Sequence, residues 1–303
     1  MSAPLEGRAV IVTGGGRGLG RAYCLELGRL GASVVVNDIG VTLGGEESEE
    51  SPAEEVARLV EAAGGKAIVD GGSVTSHEES KATVDAALAA FGRLDGVVNN
   101  AGITRDRMLV SMSEQDFDDV FAVHVKGTFN LMHHAAAHWR ERSKAGEEVS
   151  GRIVNTVSGS GLRGNVGQVN YGGAKAAIAA MTRAAAGELG RYGVTANAVA
   201  PVARTRMTIE VGMSAEGPQG FDELAPENVA PLVAYLLTEQ SGWLTGQVLR
   251  PEGSTVAIYE PWRISDEKYP SASGERPEFE ELHDGLRQLY GVAPGLMGMS
   301  GKG

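Results

Sequence analysis

Residues 9–20 have the sequence Ala-Val-Ile-Val-Thr-Gly-Gly-Gly-Arg-Gly-Leu-Gly, which predicts a short buried strand that turns through glycines into a helix. Such glycines let the backbone approach a pyrophosphate, which the N–H groups at the helix N-terminus stabilise. The spacing is Thr-Gly-x3-Gly-x-Gly, not the strict Gly-x-Gly-x-x-Gly, so a plain tight turn is the alternative. The position between strand and helix favours a phosphate site. Its predicted contacts are Gly14, Gly16, Arg17, Gly18 and Leu19.

Seven short runs rich in Val and Ile alternate with helical patterns along the chain. The runs occupy residues 9–12, 33–36, 66–69, 96–98, 152–154, 194–199 and 247–249. The helical patterns lie near 18–30, 53–63, 76–91, 114–140, 168–191 and 226–237. Nearly continuous apolar strands are typical of a parallel sheet covered on both faces. The sequence therefore predicts an α/β fold, a doubly wound Rossmann fold with a seven-stranded parallel sheet and helices on both faces.

No linker interrupts this alternation before about residue 255, so we expect one Rossmann domain over 1–255 and a C-terminal extension over 256–303. In the extension, a predicted helix opens at Pro277 and ends at Gly291. Its three leucines on one face are Leu282, Leu286 and Leu289. We expect this face to dock on the domain or on a neighbouring subunit.

Composition excludes several functional classes. Hydrophobic residues make up 42% of the 303 residues and charged residues 22%, which is typical of a globular chain with a sizeable core. The formal net charge of −12 disfavours nucleic-acid binding. The single cysteine, Cys24, excludes an internal disulfide framework. With no long apolar run and a first strand too close to the start for a signal peptide, we expect a cytoplasmic protein that does not bind membranes.

Two segments interrupt the regular pattern. Residues 40–52 form an acidic loop longer than a usual connection between strand and helix, which is either a solvated insertion or a partner-binding element. Residues 202–224 have little strand character and follow the sixth strand, at the edge where ligands bind in such sheets. We interpret the second segment as a substrate lid.

Asp38 lies at the end of the second predicted strand, 18 residues beyond Gly20. A carboxylate there can accept hydrogen bonds from both ribose hydroxyls of an adenosine and would repel a 2′-phosphate, which favours NAD over NADP. Two alternatives stay open: Arg17 can pair with a 2′-phosphate, and Asp38 can be an ordinary turn residue. After the fourth strand, the small residues that would leave room for the adenosine are Asn100, Ala101 and Gly102, although a turn explains that composition almost as well.

Tyr171 and Lys175 are four residues apart, so they share one face of a predicted helix. A neighbouring ammonium and a positively charged nicotinamide both favour the phenolate, and so we expect a lowered tyrosine pKa. Such a tyrosine can accept the proton of an alcohol while hydride leaves its carbon. Ser158, 13 residues earlier, can bond the same oxygen. The alternative is a half-buried tyrosine, a solvated lysine and a loop serine.

Taken together, the glycine motif, the Asn-Asn-Ala-Gly turn at 99–102 and the Ser, Tyr and Lys set resemble the short-chain dehydrogenase/reductase family over roughly residues 5–255. The resemblance implies that Lys175 binds ribose and modulates the tyrosine. It also implies further cofactor contacts, at Ser73, Val74, Pro201 and Thr205. The family usually has Asp-Val where Ser73-Val74 stands, and Pro-Gly where Pro201-Val202 stands. It also usually has an Asn proton relay where His124 lies, which leaves His124 as either a relay or a structural residue.

Within that family, five segments resemble the (3R)-hydroxyacyl-CoA dehydrogenase domain of peroxisomal multifunctional β-oxidation enzymes, also called 17β-hydroxysteroid dehydrogenase type 4. They are His124, 36–40, 103–107, 165–171 and 204–208. The resemblance implies NAD-dependent oxidation of a hydroxyacyl-CoA or steroid-like alcohol, and a homodimer or homotetramer. An NADPH-dependent 3-oxoacyl reductase and a catalytically silent scaffold are the rival hypotheses. Arginines that would offset the negative charge near a CoA phosphate are Arg105, Arg107, Arg163, Arg204 and Arg206.

Overall fold

A computed structural model describes residues 3–40, 51–204, 218, 220–260, 264, 268–270 and 279–292. Its strands are β1 (Ala9–Thr13), β2 (Ser33–Asn37), β3 (Lys66–Asp70), β4 (Gly96–Asn99), β5 (Gly151–Thr156), β6 (Val194–Val199), β7 (Val248–Glu252) and β8 (Thr255–Ile258). Its α-helices are α1 (Gly18–Arg29), α2 (Pro52–Ala62), α3 (His77–Phe91), α4 (Glu114–Phe121), α5 (Gly127–Lys144), α6 (Gly159–Arg163), α7 (Val169–Leu189), α8 (Ala230–Leu236) and α9 (Phe279–Val292).

The strands form one sheet in the order β3-β2-β1-β4-β5-β6-β7-β8. All neighbours from β3 to β7 pair in parallel, and the order reverses between β1 and β4. In a doubly wound sheet this reversal opens a crevice at the carboxyl ends of the strands. The predicted Rossmann fold is therefore confirmed, and its ligand site is expected beside β1 and β4.

Within the described residues the sheet has eight strands, where the sequence predicted seven. β8 follows the turn at Gly253 (φ +52°) and pairs antiparallel with β7, from Leu249 opposite Ile258 to Glu252 opposite Thr255. All four residues of β8 are exposed. A four-residue edge strand after a tight hairpin turn carries no buried periodicity, and for this reason the sequence pattern did not reveal it.

Two apolar layers cover the sheet. On one face, Tyr23 and Leu27 of α1 and Val60 of α2 are completely buried in one core cluster. On the other face, Leu131 and Trp139 of α5 pack in a second cluster together with side chains from α3 and α7. Helices on both faces explain why the strands read as continuous apolar runs instead of alternating ones.

The predicted helix over 114–140 is two α-helices joined by a π-helical turn. α4 ends at Phe121, residues 122–126 form the π turn, and α5 continues to Lys144. A π turn inserts one extra residue in the helical repeat, and such turns are frequent at functional sites. Here it carries His124, whose side chain is 1% exposed.

Gly20 lets α1 pack against the glycine turn. A Cβ at this position would lie 2.0 Å from the carbonyl oxygen of Gly14 and 2.8 Å from Nδ2 of Asn100. The nearest atom belongs to the backbone and cannot swing aside, so no small rearrangement relieves the clash. The close approach of helix and turn therefore requires glycine.

We expect Gly20→Ala to destabilise the protein by about 3 kcal/mol, because the overpacked site must push α1 off the turn. Thermal unfolding should then occur at a temperature roughly 5–10 °C lower. Gly187→Ala is the matched control, since a Cβ on this α7 glycine meets no atom within 4 Å. The control should gain about 0.5–1 kcal/mol from helix propensity. Equal unfolding temperatures for the two variants would contradict this account of Gly20.

The chain divides into two compact units, Met1–Tyr259 and Glu260–Gly303. In the second unit, α9 extends to Val292, one residue past the predicted end. Of its predicted apolar face, Leu282 and Leu289 are half-buried and Leu286 is exposed. None of the described helices is long and apolar enough to cross a bilayer. Most of the predicted acidic loop and lid lies outside the described residues, as do Pro277, Thr205 and Arg206.

Candidate active site

A cleft of about 360 Å³ opens at the carboxyl ends of the central strands. Its lining residues are Gly14, Arg17, Gly18, Leu19, Asn37, Asp38, Ile39, Gly72, Ser73, Val74, Thr75, Asn100, Ala101, Gly102, Ile103, Val123, His124, Thr156, Val157, Ser158, Tyr171, Lys175, Pro201 and Ala203. The set includes every predicted site residue except Gly16, which lies behind the turn, and Thr205, which is outside the described residues. The topology thus brings eight separate segments of the chain to one site.

The glycine turn has the conformation that a phosphate site needs. Gly14 and Gly18 have φ angles of +62° and +52°, which favour glycine over every other residue. A Cβ on Gly14 would lie 3.0 Å from Cα of Ala101, so the turn also packs closely against the loop after β4. The N-cap residue of α1, Arg17, makes no side-chain capping hydrogen bond. The helix N-terminus therefore offers its N–H groups to an anion, and these residues fit a pyrophosphate.

Asp38 is held in the cleft by the backbone. Its Oδ2 accepts a hydrogen bond from the N–H of Gly16 at 3.0 Å, and its Oδ1 accepts one from the N–H of Gly40 at 2.9 Å. A Cβ on Gly16 would lie 2.9 Å from Oδ2, so a larger residue at this position would displace the carboxylate. Gly16 therefore affects the cleft through Asp38, although it does not line the cleft itself. The fixed carboxylate fits the two hydroxyls of a ribose. Arg17 lines the same end of the cleft.

Thr13 and Asn100 join the turn after β1 to the loop after β4. The hydroxyl of Thr13 accepts hydrogen bonds from the N–H groups of Asn100 and Ala101, at 3.0 and 3.1 Å. In return, Nδ2 of Asn100 donates to the carbonyl oxygens of Thr13 and Gly14. Asn100 thus has a structural task that composition alone did not indicate, and Thr13 is a site residue that the sequence analysis did not single out.

The wall after β3 is formed by Ser73, Val74 and Thr75. The hydroxyls of Ser73 and Thr75 lie 3.0 Å apart, and the carbonyl oxygen of Val74 accepts a hydrogen bond from Nδ2 of Asn130 at 2.8 Å. A Cβ on Gly127 would lie 2.8 Å from the side chain of Val74, so the start of α5 packs closely against these residues. The residues at the usual Asp-Val position therefore line the cleft with a serine hydroxyl in place of a carboxylate.

Tyr171 lies one helical turn from Lys175 on α7, with Ser158 facing it from the end of β5. Burial raises the pKa of Tyr171 to about 12, a hydrogen bond with Ser158 lowers it, and the charge of Asp106 raises it. This is opposite to the lowered pKa that the sequence predicted. In the protein alone, the cost of desolvating the phenolate exceeds the help of the hydrogen bond with Ser158.

Lys175 is 3% exposed, and its Nζ donates a hydrogen bond to the carbonyl oxygen of Thr156 at 2.7 Å. The same nitrogen lies 5.5 Å from the centre of the Tyr171 ring. Burial lowers the pKa of Lys175 to about 7, so the side chain carries only part of a charge at neutral pH. This explains why Lys175 does little to stabilise the phenolate in the protein alone.

We expect Lys175→Met to stabilise the cofactor-free protein, at the expense of its function. The pKa of Lys175 is about 7 in the folded protein and 10.5 when the side chain is exposed. Between these two pH values the folded state binds fewer protons than the unfolded state. The free-energy cost of burying the lysine is therefore fully present only below pH 7 and decreases as the pH rises. The free energy of unfolding should rise by about 2 kcal/mol at pH 6, after allowing for the lost hydrogen bond to Thr156, and this gain should vanish above about pH 10.5. Urea unfolding at pH 6 and pH 9 measures the free energy of unfolding.

The control for that experiment is Lys66→Met, which removes an exposed lysine at the start of β3. It should change the free energy of unfolding equally at the two pH values. If Lys175→Met also showed no difference between pH 6 and pH 9, the lysine would not carry a depressed pKa.

His124 faces the cleft from the π turn. Its Nε2 lies 2.8 Å from the carbonyl oxygen of Ile103, and its ring packs edge-on to Tyr171 with centroids 5.3 Å apart. Burial lowers the pKa of His124 well below its usual range, and the charge of Lys175 lowers it further. The ring is therefore neutral, and its Nε2 contacts both the carbonyl oxygen and the N–H of Ile103, the latter at 3.2 Å. Among the described residues, its buried Nδ1 has no hydrogen-bond partner.

A polar network behind Tyr171 was missed by the sequence analysis. Oδ1 of Asn170 accepts the N–H of Tyr171 at 2.8 Å, while its Nδ2 donates to the carbonyl oxygens of Arg105 and Asp116. Nearby, Nε2 of Gln168 donates to Oδ2 of Asp106 at 2.7 Å. The network ties the start of α7 to the loop after β4, and so it positions the tyrosine. The only available signal was the polar composition of residues 165–170.

The arginines proposed to face a CoA phosphate differ in their surroundings. Arg204 pairs with Asp222, so its charge is largely offset. Arg105 and Arg107 each donate to the carbonyl oxygen of the residue before them, at 3.0 and 2.8 Å. The ion pair with Asp222 removes Arg204 as an uncompensated charge.

Residues 8–215 match the family model described as short chain dehydrogenase. Hydroxyacyl-CoA dehydrogenase ChsB1 of Mycobacterium tuberculosis is 43% identical over 293 residues, which cover 94% of this chain and 89% of that protein. The peroxisomal hydratase-dehydrogenase-epimerase of Neurospora crassa is 40% identical over 252 residues, which cover 83% of this chain but 27% of that longer protein. These matches confirm the resemblance inferred from the motifs.

Two solved structures are also similar. The crystal structure of a short chain dehydrogenase from Mycobacterium avium has a TM-score of 0.86 and 47% identity, covering 97% of this chain and 98% of that one. A short chain dehydrogenase from Mycobacterium paratuberculosis, bound to NAD, has a TM-score of 0.72 and 28% identity, covering 82% of this chain and 98% of that one. Both similarities extend over most of the chain.

Proposed function

We propose that this chain, which belongs to the short-chain dehydrogenase family, uses NAD to oxidise the secondary alcohol of a 3-hydroxyacyl-CoA to a ketone. Membership of that family makes the protein an oxidoreductase. The observation that carries the finer proposal is the meeting of Ser158, Tyr171 and Lys175 in one cleft with a fixed Asp38. Alcohol chemistry and nucleotide recognition thus share a single site.

The preference for NAD rests on Asp38. Its carboxylate is held by two backbone N–H groups, so it cannot swing away from a ribose 2′-substituent. A 2′-phosphate placed there would meet a fixed negative charge, whereas two ribose hydroxyls would donate to it. The NAD-bound neighbour supports the same choice. Arg17 in the same cleft is the feature that favours NADP, and with it a 3-oxoacyl reductase.

Each of the three side chains has a separate task in the proposed reaction. The deprotonated Tyr171 hydroxyl accepts the proton of the substrate alcohol, and the hydroxyl of Ser158 bonds the same oxygen and orients it. Lys175 binds the ribose, and its Nζ, 5.5 Å from the centre of the Tyr171 ring, favours the phenolate to the extent that it is protonated. NAD, when bound, supplies the acceptor for the hydride and a positive charge that favours the phenolate. Because the pKa of Tyr171 is about 12 in the protein alone, the lowering of this pKa that the reaction needs must come from the complex with NAD and substrate.

We assign His124 to the route by which the proton leaves the site. Its Nε2 contacts the carbonyl oxygen and the N–H of Ile103, and its buried Nδ1 has no hydrogen-bond partner among the described residues. A neutral imidazole can form a hydrogen bond at Nδ1 with a water molecule, as donor or acceptor according to its tautomer, and so can join a chain of proton transfers. It can therefore do the task that an asparagine usually does at this position.

The substrate class rests on the relatives, of which one is named a hydroxyacyl-CoA dehydrogenase. A steroid-derived intermediate is the second substrate candidate, because the lining of the cleft as a whole is more apolar than polar. The homodimer or homotetramer implied by the resemblance stays a prediction.

The experiment that tests the function is a spectrophotometric assay at 340 nm with purified protein. NAD and NADP are each offered with 3R- and 3S-hydroxyacyl-CoA thioesters and with a 17β-hydroxysteroid. We expect NAD-linked turnover of the 3R thioester. Activity with NADPH alone in the reverse direction would favour the reductase, and steroid-only activity would replace the substrate class. Binding of NAD without turnover of any compound would favour the scaffold.

A further inference from the structure

Three histidines meet where the N-terminus of α3 packs on α5. His77 is the first residue of α3, and His133 and His134 lie in the middle of α5. The ring of His77 has its centroid 4.2 Å from that of His134 and 5.2 Å from that of His133, and the latter two are 5.1 Å apart. One nitrogen of each ring lies within 4.8 Å of the other two. None of the three lines the catalytic cleft.

The hydrogen bonds of two of these rings leave one nitrogen available on each. Nδ1 of His77 lies 3.2 Å from Oδ1 of Asn130, and Nε2 of His134 lies 2.9 Å from the carbonyl oxygen of His77. Because both partners are oxygen acceptors, these nitrogens carry the protons. The lone pairs therefore stand on Nε2 of His77 and Nδ1 of His134. Metal-binding histidines have this arrangement, with the second nitrogen donating to a carbonyl or amide oxygen.

The tautomer of His77 is set from the protein interior. Asn130 is 1% exposed, and its Nδ2 donates to the carbonyl oxygen of Val74 at 2.8 Å. This bond determines which end of the amide faces His77, because a flipped amide would place two acceptors together at Val74. The oxygen thus points at His77. A buried side chain therefore orients an exposed ring, which is unusual for histidines that are only solvated.

The donor set identifies the class of ligand. Three neutral imidazoles without a carboxylate or a thiolate suit zinc, copper or nickel ions and do not suit magnesium or calcium. Lys81 is close enough to affect the charge state of His134, but its Nζ is paired with Asp85 at 2.6 Å. The net charge of −12 also attracts cations to the surface. Phe129 packs beside His77 and His133 and supports both rings.

From this geometry we propose that His77, His133 and His134 form a binding site for one divalent transition-metal ion of the zinc type. Zinc–nitrogen bonds are about 2.0–2.1 Å long, so binding requires the three ligand nitrogens, which lie within 4.8 Å of one another, to come closer together. His133 is exposed, so its ring can turn toward the other two while Asn130 keeps His77 oriented. Three protein ligands leave a fourth position for water or an anion. A bound ion would link α3 to α5, which are distant in sequence.

The test is a titration of untagged, chelator-treated protein with ZnCl₂, read by a competing chromophoric chelator. We expect one saturable equivalent in the wild type, and affinity at least about tenfold lower in His77→Ala and in His133→Ala. His283→Ala, which removes a histidine of the second unit, should bind like the wild type. A parallel titration with MgCl₂ should show no saturable binding.

Thermal unfolding supplies a second measurement that needs no substrate. A ligand that binds only the folded state raises the unfolding temperature, so Zn²⁺ should stabilise the wild type and His283→Ala but not His77→Ala or His133→Ala. Absence of saturable binding in the wild type would overturn the proposal, as would equal zinc affinity in all four proteins. Both results are independent of the alcohol dehydrogenase assay, so the site and the proposed activity can fail separately.

Discussion

Tyr171→Phe should lower kcat for alcohol oxidation by about 10³-fold while leaving NAD binding nearly unchanged, because general acid–base catalysis contributes roughly 10²–10⁴ in rate. The substitution removes the only group in the Ser158, Tyr171 and Lys175 set that is placed to accept the substrate proton. That loss corresponds to about 4 kcal/mol of transition-state stabilisation. Steady-state kinetics, with cofactor binding measured by fluorescence, distinguishes the two effects.

Phenylalanine keeps the ring that packs edge-on to His124, so the fold should be preserved. The matched control is Tyr235→Phe, which removes a surface hydroxyl that accepts a hydrogen bond from Nε1 of Trp243. This control should retain full activity. Turnover by Tyr171→Phe within about threefold of the wild type would reject the acid–base assignment, and loss of NAD binding would indicate structural damage instead.

Asp38→Asn should reduce the ratio of kcat/KM for NAD to that for NADP by about 10²-fold, since charge-assisted hydrogen bonds contribute about 1.5–3 kcal/mol and the repulsion of a 2′-phosphate disappears. The amide keeps the shape of the side chain, and its oxygen still accepts one of the bonds from Gly16 and Gly40. Removal of the charge also takes away the repulsion between position 38 and a 2′-phosphate in the cleft that Arg17 lines. The measurement is the cofactor dependence of turnover at 340 nm.

Asp85→Asn is the control for net charge, because it removes one carboxylate from an exposed ion pair on α3. It should leave the cofactor ratio unchanged. If Asp38→Asn kept the wild-type preference for NAD, cofactor selection would have to come from other residues of the cleft. If both variants changed the ratio equally, a long-range effect of charge would be responsible.

Most of the fold could be predicted because its signals are local. Each parallel strand is a run of apolar residues, and each crossover helix has a 3.6-residue pattern, so the alternation is visible without any contact information. β8 and the π turn were missed for the opposite reason. An exposed edge strand and one extra residue in a helix leave no periodic trace in the sequence.

The candidate site also contains residues that local sequence patterns indicate and residues that they do not. Tyr171 and Lys175 could be paired from their spacing on one helix, and Asp38 from its place after a strand. Asn170, Gln168 and Asp106 could not be assigned, because their importance depends on the loop after β4 meeting the start of α7. Such contacts join residues more than 60 positions apart.

The alternation of strands and helices, the glycine turn and the proposed reacting side chains could be recognised in the sequence alone, since each depends on residues within one or two helical turns. The charge states of those side chains depend on the tertiary structure. Burial sets the pKa of Tyr171 at about 12 and that of Lys175 at about 7. The proximity of His77 to His133 and His134 also depends on the tertiary structure. Desolvation and close approach arise from segments that are distant in the chain, and no local pattern records them.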